Sequence, residues 1–186
     1  MKAAENSLLH AGFRFEALRP FHAAIVPSDY AILITYANRI PPHIGFCQNG
    51  IYYAFNGQGS EGPQHLGRVL RWIEIKKIPS LLVMLKEPLF RPSQDHAENF
   101  LLTAPPLHLG GSCLFPVRGL IEEYWNIHVK QPLIHGLMKQ LEIENIIRET
   151  LFLNLEPALA GDNSFSIPAY DEQTVRSFLK SVVAAY

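Results

Sequence analysis

The sequence has little cysteine and no long apolar run. Its two cysteines, Cys47 and Cys113, are too few for a disulfide framework, and in a reducing compartment both would be free thiols. No stretch approaches the roughly 20 apolar residues that a membrane-spanning helix needs. The first 21 residues also lack the apolar segment of a signal peptide, because charged residues interrupt them. We therefore expect a cytoplasmic protein with no membrane span.

An excess of charge of either sign is also missing. Sixteen basic and 17 acidic residues give a formal net charge of −1, with no basic tract and no acidic tail. This balance argues against a nucleic-acid partner, since such proteins carry concentrated positive charge. The 186 residues, 48% of them hydrophobic, are enough to bury a sizeable core. We expect a single domain over residues 1–186 and leave its oligomeric state open.

The hydrophobic pattern predicts an α+β protein with an antiparallel sheet of about five strands packed against helices. Apolar segments at 30–36 and 80–86 and an alternating segment at 68–76 favour strands. Apolar positions at helical spacing favour helices, and these are expected within 1–20, near 93–101, from Ser112 or Cys113, over 132–149 and from Glu172 onward. Trp72 and Trp125 are expected in the core.

A β-hairpin is predicted in the stretch HIGFCQNGIYYAFN, residues 43–56. Asn49-Gly50 is the strongest short signal for a two-residue turn, and a turn centred there pairs residues whose numbers sum to 99. His43 then faces Asn56, with their Cβ atoms about 5 Å apart. We infer that Asn56 can orient the His43 imidazole. Gly45 and Ala54 share this face, and their small size would let a helix approach it closely.

Cys113 follows Gly-Gly-Ser and opens an amphipathic helix. A helix N-terminus lowers the pKa of a thiol and offers backbone N–H groups to an oxyanion. A nucleophilic thiol also needs a base, and the base needs an orienting group. Cys113, His43 and Asn56 provide these three functions. Cys47 lies within a strand and is expected to be structural, but it shares the His43 face and is the alternative thiol, while His108 is an alternative base.

These features resemble the circularly permuted NlpC-like branch of the papain fold, which includes relatives of lecithin retinol acyltransferase. The resemblance covers roughly residues 30–127, and in that branch the histidine strand precedes the cysteine helix, as His43 precedes Cys113 here. His-Ile-Gly-Phe resembles the family's histidine strand. The resemblance implies a papain-like arrangement in which Cys113 is the nucleophile, His43 the base and Asn56 the third polar residue.

The sequence gives weaker support for two other kinds of site, a dinucleotide-binding site and a metal site. Residues 57–62 match the dinucleotide pattern G-x-G-x-x-G, but they follow a hairpin arm and precede an alternating segment where that motif requires a helix. The other histidines lack metal-ligand spacing. We expect no metal and no cofactor.

The function expected from the sequence is a cysteine hydrolase, a peptidase or amidase, acting on a small peptide, amide or acyl substrate. An acyltransferase would use the same acyl-enzyme with a different acceptor. The alternative is a non-catalytic binding protein built on the same fold.

Overall fold

The computed structural model describes residues 12–21, 30–56, 59–60, 62–89, 91–103 and 112–183. Its strands within these ranges are β1 (Phe13–Phe15), β2 (Arg19–Pro20), β3 (Ala31–Thr35), β4 (His43–Gln48), β5 (Ile51–Asn56), β6 (Gly59–Ser60), β7 (Gln64–His65), β8 (Ser80–Leu85), β9 (Ile147–Leu153) and β10 (Phe165–Ile167). The α-helices in the same ranges are α1 (Leu66–Ile75), α2 (Gln94–Leu102), α3 (Leu114–Trp125), α4 (Ile134–Ile143) and α5 (Glu172–Val183). A short 3₁₀ helix spans Glu156–Ala158.

The main sheet has eight strands in the order β2-β9-β8-β3-β4-β5-β6, with β7 also paired to β5. Every pair is antiparallel except β2 and β9, which are parallel. A separate antiparallel pair joins β1 to β10. The α+β class is thus confirmed, but the prediction of an antiparallel sheet of about five strands is wrong. The sheet is mixed because β2, from the start of the chain, aligns in parallel with β9.

Helices cover both faces of the sheet. Side chains such as Ile32 and Phe46 on one face pack against α2, α3 and α4. Side chains such as Leu33 and Cys47 on the other face pack against α1. All five residues of β3 are buried, as expected for a central strand covered on both sides. The faces are therefore distinct environments, and a residue's place in the β4 alternation decides which helix it meets.

The hairpin of β4 and β5 has the predicted register. The Cα partners are Gly45 with Ala54, Phe46 with Tyr53, Cys47 with Tyr52 and Gln48 with Ile51, so their numbers sum to 99. Asn49 and Gly50 have φ angles of 52° and 76°. Positive φ at both central residues defines the type I′ turn that Asn-Gly favours. The turn and the register of these four pairs are confirmed, whereas the predicted pair of His43 and Asn56 lies beyond them and stays a prediction.

Residues 68–75 are helical, which contradicts the strand predicted over 68–76. They belong to α1, whose buried residues Leu66, Val69, Leu70 and Ile73 are spaced i, i+3, i+4 and i+7. That spacing identifies one face of a helix. The segment from Arg68 onward leaves out Leu66, and without Leu66 the remaining residues show the alternation of apolar and charged side chains that is typical of a strand. As a consequence, Trp72 is 47% exposed, although it was expected in the core, where Trp125 does lie.

The predicted helix over 132–149 is too long. It ends at Ile143, and Asn145 adopts a left-handed φ of 54°, a common stop for a helix. The residues that follow include β-branched and aromatic ones and form β9, a strand that was not predicted from the sequence. At the start of the chain, β1 and β2 lie within residues 12–20, while residues 1–11, the other part of the segment where a short helix is expected, lie outside the described residues.

The other predicted elements are present. Strands β3 and β8 and helices α2, α3 and α5 lie where the pattern placed them. On α5, Phe178 is 45% exposed. No helix within the described ranges is long and apolar enough to cross a bilayer.

Candidate thiol site

Cys113 occupies the N-cap position of α3, as the sequence predicts. Its own side chain makes no capping hydrogen bond, and the residue is partly buried against the core. Hydrogen bonds from the backbone at Ile44, Cys113 and Leu114 reach the sulfur. Two of these groups belong to the start of α3, and the third belongs to β4. The sulfur therefore lies where the cysteine-bearing helix meets the histidine-bearing strand.

The pKa of the Cys113 thiol is raised, not lowered as expected for a helix N-terminus. Burial raises it, and the backbone hydrogen bonds at Ile44, Cys113 and Leu114 only partly offset that effect. Taking a thiolate out of water costs more free energy than these hydrogen bonds recover. The resting thiol at neutral pH is therefore protonated, and a nucleophilic role would require a base or a counter-charge.

His43 is the first residue of β4 and is partly exposed. Its Cα partner on the neighbouring strand is Thr35. The peptide group between His43 and Ile44 carries the N–H that bonds to the Cys113 sulfur. His43 and Cys113 are thus brought together at the level of the backbone. The backbone of Asn56 ends β5, while its side chain lies outside the described residues, so the predicted contact with His43 stays a prediction.

The helix that carries Cys113 does not approach the face predicted for it. Helix α3 packs on the face of Ile44 and Phe46, where its own residue Val117 is buried. The opposite face, which holds Gly45 and Cys47, is covered by α1. By strand alternation His43 shares the α1 face. The side chain of His43 could approach the sulfur only around the end of the sheet, where β4 begins.

One further residue that was not predicted from the sequence, Tyr170, lies near Cys113. Tyr170 packs against the same core cluster, and its phenol pKa is raised by burial and by the nearby Cys113 thiol. A hydrogen bond from the backbone of Ile134, the first residue of α4, acts in the opposite direction. The sequence offered no signal for Tyr170, because it is 57 residues from Cys113 and meets it only through the tertiary fold.

His135 stands beside Tyr170, with ring centroids 5.9 Å apart and ring planes at 89°. It is only 8% exposed, and its Nδ1 has no hydrogen-bond partner among the described residues. Burial lowers the pKa of the His135 imidazole, which is therefore neutral at pH 7. His135 is therefore a buried neutral imidazole that packs on Tyr170.

Cys47 lies in the core between the sheet and α1, with no exposed surface. Burial raises the pKa of its thiol strongly. A deeply buried, protonated thiol is a poor nucleophile. These properties agree with the structural role expected for Cys47.

The other histidines within the described residues do not form a common site. His96 bonds to Glu123 at 2.7 Å and His128 lies 3.5 Å from Glu122, both at exposed positions. The predicted alternative base, His108, lies outside the described residues. Within the described part of the chain, no three His, Cys, Asp or Glu side chains are grouped closely enough to hold a metal ion.

The G-x-G-x-x-G stretch lies only partly within the described residues, since residues 57–58 and 61 fall outside them. One argument against a nucleotide site was wrong, because the helix α1 does follow this stretch. The other argument remains. Strand β5 is antiparallel to β4 and β7, whereas the dinucleotide motif requires the first strand of a parallel βαβ unit.

The site thus consists of a protonated thiol at a helix start, a strand histidine whose backbone adjoins it, and Tyr170 near the thiol, with His135 packed on Tyr170. Comparisons of the chain with protein-family models, with curated proteins and with solved structures gave no significant match.

Proposed function

We propose that the protein is a cysteine-dependent hydrolase that cleaves a small peptide, amide or ester through a thioester acyl-enzyme. The proposal rests on one observation above all: the Cys113 sulfur lies at the start of α3, within hydrogen-bonding reach of backbone N–H groups from both α3 and β4. Such N–H groups are the donors that stabilise an oxyanion in acyl transfer. The resemblance to permuted NlpC-like enzymes supports the same assignment.

In this mechanism His43 removes the thiol proton of Cys113, and the sulfur attacks the substrate carbonyl carbon. The carbon–nitrogen or carbon–oxygen bond then breaks, and the leaving group takes the proton back from His43. Water next attacks the thioester, giving a carboxylic acid and the free thiol. Asn56 holds the His43 ring in the required tautomer. An amine or alcohol in place of water would make the enzyme an acyltransferase.

The raised pKa of Cys113 favours the other candidate, a non-catalytic protein that uses the region around Cys113 for binding. The two functions differ in what they require of His43. A catalytic thiol must react at a pH where an ordinary thiol is protonated, because the imidazolium of His43 would stabilise the thiolate. A binding protein has no such requirement.

Alkylation by iodoacetamide at about pH 6, followed by mass spectrometry of each cysteine, separates the candidates. We expect rapid modification of Cys113 alone and a decrease of at least about tenfold in His43→Ala. The variant His128→Ala, which removes an exposed histidine, is the matched control and should react like the parent protein. Slow and equal labelling of Cys47 and Cys113 would exclude the hydrolase. Rapid labelling that His43→Ala does not change would exclude His43 as the base.

Turnover gives a second test. The parent protein should release p-nitrophenol from a short-chain p-nitrophenyl ester with a burst, since the acyl-enzyme accumulates. Cys113→Ala should show no burst, whereas Cys47→Ala should retain it. A burst that survives Cys113→Ala would contradict the proposal.

A further inference from the structure

Helix α1 presents an unusual set of side chains on its outer side. Its buried stripe packs on the sheet, and the opposite stripe consists of Arg68, Arg71, Trp72 and Ile75, all exposed. These four positions are again spaced i, i+3, i+4 and i+7, so they form one continuous face of the helix. We call these four residues the α1 outer face.

Two large apolar side chains lie within the α1 outer face. Trp72 is 47% exposed and Ile75 is 67% exposed. They are neighbours at i and i+3, so their exposed surfaces are adjacent. Scattered exposed apolar residues are common in proteins, but adjacent ones within a polar rim mark surfaces that meet an apolar partner.

The charges around these apolar residues are almost all positive. Arg68 and Arg71 lie on the outer face itself, and Lys76 and Lys77 follow at the end of the helix. None of the four cations forms an ion pair with any residue in the described ranges. Glu74 is the only acidic residue between positions 64 and 79. This segment is strongly cationic in a chain whose formal net charge is −1.

We propose that the α1 outer face docks on the surface of an anionic lipid bilayer. Tryptophan prefers the interface between headgroups and acyl chains, isoleucine inserts at the same depth, and basic residues bind the lipid phosphates. Charge complementarity therefore selects acidic lipids over neutral ones. A nucleic acid would pair with the arginines and stack on Trp72, but it would leave Ile75 without an apolar partner.

The proposed docking surface is independent of the thiol site. Helix α1 covers the face of the sheet opposite to α3, which carries Cys113. Docking through α1 would therefore leave the start of α3 open to solvent or substrate. Failure of either proposal has no bearing on the other.

The test is co-sedimentation of the full chain with vesicles of phosphatidylglycerol and phosphatidylcholine, compared with vesicles of phosphatidylcholine alone. We expect binding to the acidic vesicles only, with a fall of at least about tenfold in the partition coefficient for Arg68→Glu/Arg71→Glu. Lys130→Glu/Lys139→Glu changes the net charge equally at exposed positions outside α1, and it should bind nearly as well as the parent protein. Trp72→Ala/Ile75→Ser should also reduce binding, with the charges kept.

Tryptophan fluorescence of the unmodified protein supplies a measurement that needs no variant. Trp72 is exposed and Trp125 is buried, so a blue shift on adding acidic vesicles reports mainly on Trp72. Absence of both sedimentation and blue shift would overturn the proposal. Equal losses in the two charge-reversal variants would also overturn it, as would binding to DNA without binding to vesicles. A dimer in solution that Trp72→Ala dissociates would assign the face to a second copy of the chain instead.

Discussion

The aromatic ring of Tyr52 occupies the space beside Gly45 that a side chain at position 45 would need. The two residues belong to adjacent strands, and both ring and glycine are buried on the α1 side of the sheet. This contact explains why the small residues of the hairpin do not admit the cysteine-bearing helix. Tyr52 already fills the space that Gly45 leaves, and the α1 helix packs over it.

Gly45→Ala should destabilise the protein by about 1–3 kcal/mol, because the added methyl group would overlap the buried Tyr52 ring. Urea unfolding followed by circular dichroism measures the change. Gly161→Ala is the matched control, since a β-carbon at position 161 would meet nothing within 4 Å. Equal stability of the two variants would mean that the Tyr52 ring does not lie against Gly45 in the folded protein.

Gly50→Ala should cost about 1 kcal/mol or more, because Gly50 has a φ of 76° that an L side chain adopts only with strain. Gly50→Asn should be tolerated better, since asparagine visits this region more readily. The free energies of unfolding of the two variants, compared in one buffer, test the turn type. Equal effects from alanine and asparagine would argue against a type I′ turn.

Stability should fall as the pH decreases through the ordinary pKa of histidine, and His135 should contribute to this fall. Burial lowers the pKa of His135 in the folded state below its ordinary value of 6.5. Just below pH 6.5 the unfolded chain therefore binds a proton at His135 that the folded protein does not, and protonation favours unfolding. The decrease in the free energy of unfolding levels off once the pH is below the pKa of His135 in the folded protein.

His135→Gln should reduce the difference in unfolding free energy between about pH 7.5 and about pH 5.5. The control His128→Gln removes an exposed imidazole, so a change common to both variants would not be due to the burial of His135. Unchanged pH dependence in His135→Gln would mean that the imidazole is not desolvated in the folded protein.

Tyr170→Phe should destabilise the protein by about 1 kcal/mol, because it removes the phenol oxygen that accepts a hydrogen bond from the backbone at the start of α4. Tyr36→Phe is the control. Tyr36 lies under the Arg39 guanidinium, a contact that phenylalanine can keep. Thermal unfolding of both variants measures the effect. A Tyr170→Phe variant as stable as the parent protein would indicate that the phenol oxygen does not accept a hydrogen bond from the backbone at the start of α4.

The parts of the candidate site that depend on interactions between residues close in the chain were predictable from the sequence. Asn49-Gly50 set the hairpin register because both turn residues need positive φ, and the apolar stripe after Cys113 placed that residue at the start of α3. Tyr170 was not predictable as a neighbour of Cys113, nor His135 as a neighbour of Tyr170. Their proximity depends on how α4 and the segment before α5 pack on the sheet, and sequence separation carries no information about that.

The sequence by itself determined the hairpin, its pairing, the start of α3 and the strands β3 and β8, since each depends on interactions between residues close in the chain. Only the tertiary structure decided that β2 joins β9 in parallel, that α1 and α3 cover opposite faces, and that Trp72 is exposed. It also decided the sign of the Cys113 pKa shift. Burial is a property of the packed core, and here its desolvation cost exceeds the stabilisation that the backbone N–H groups at Cys113 provide.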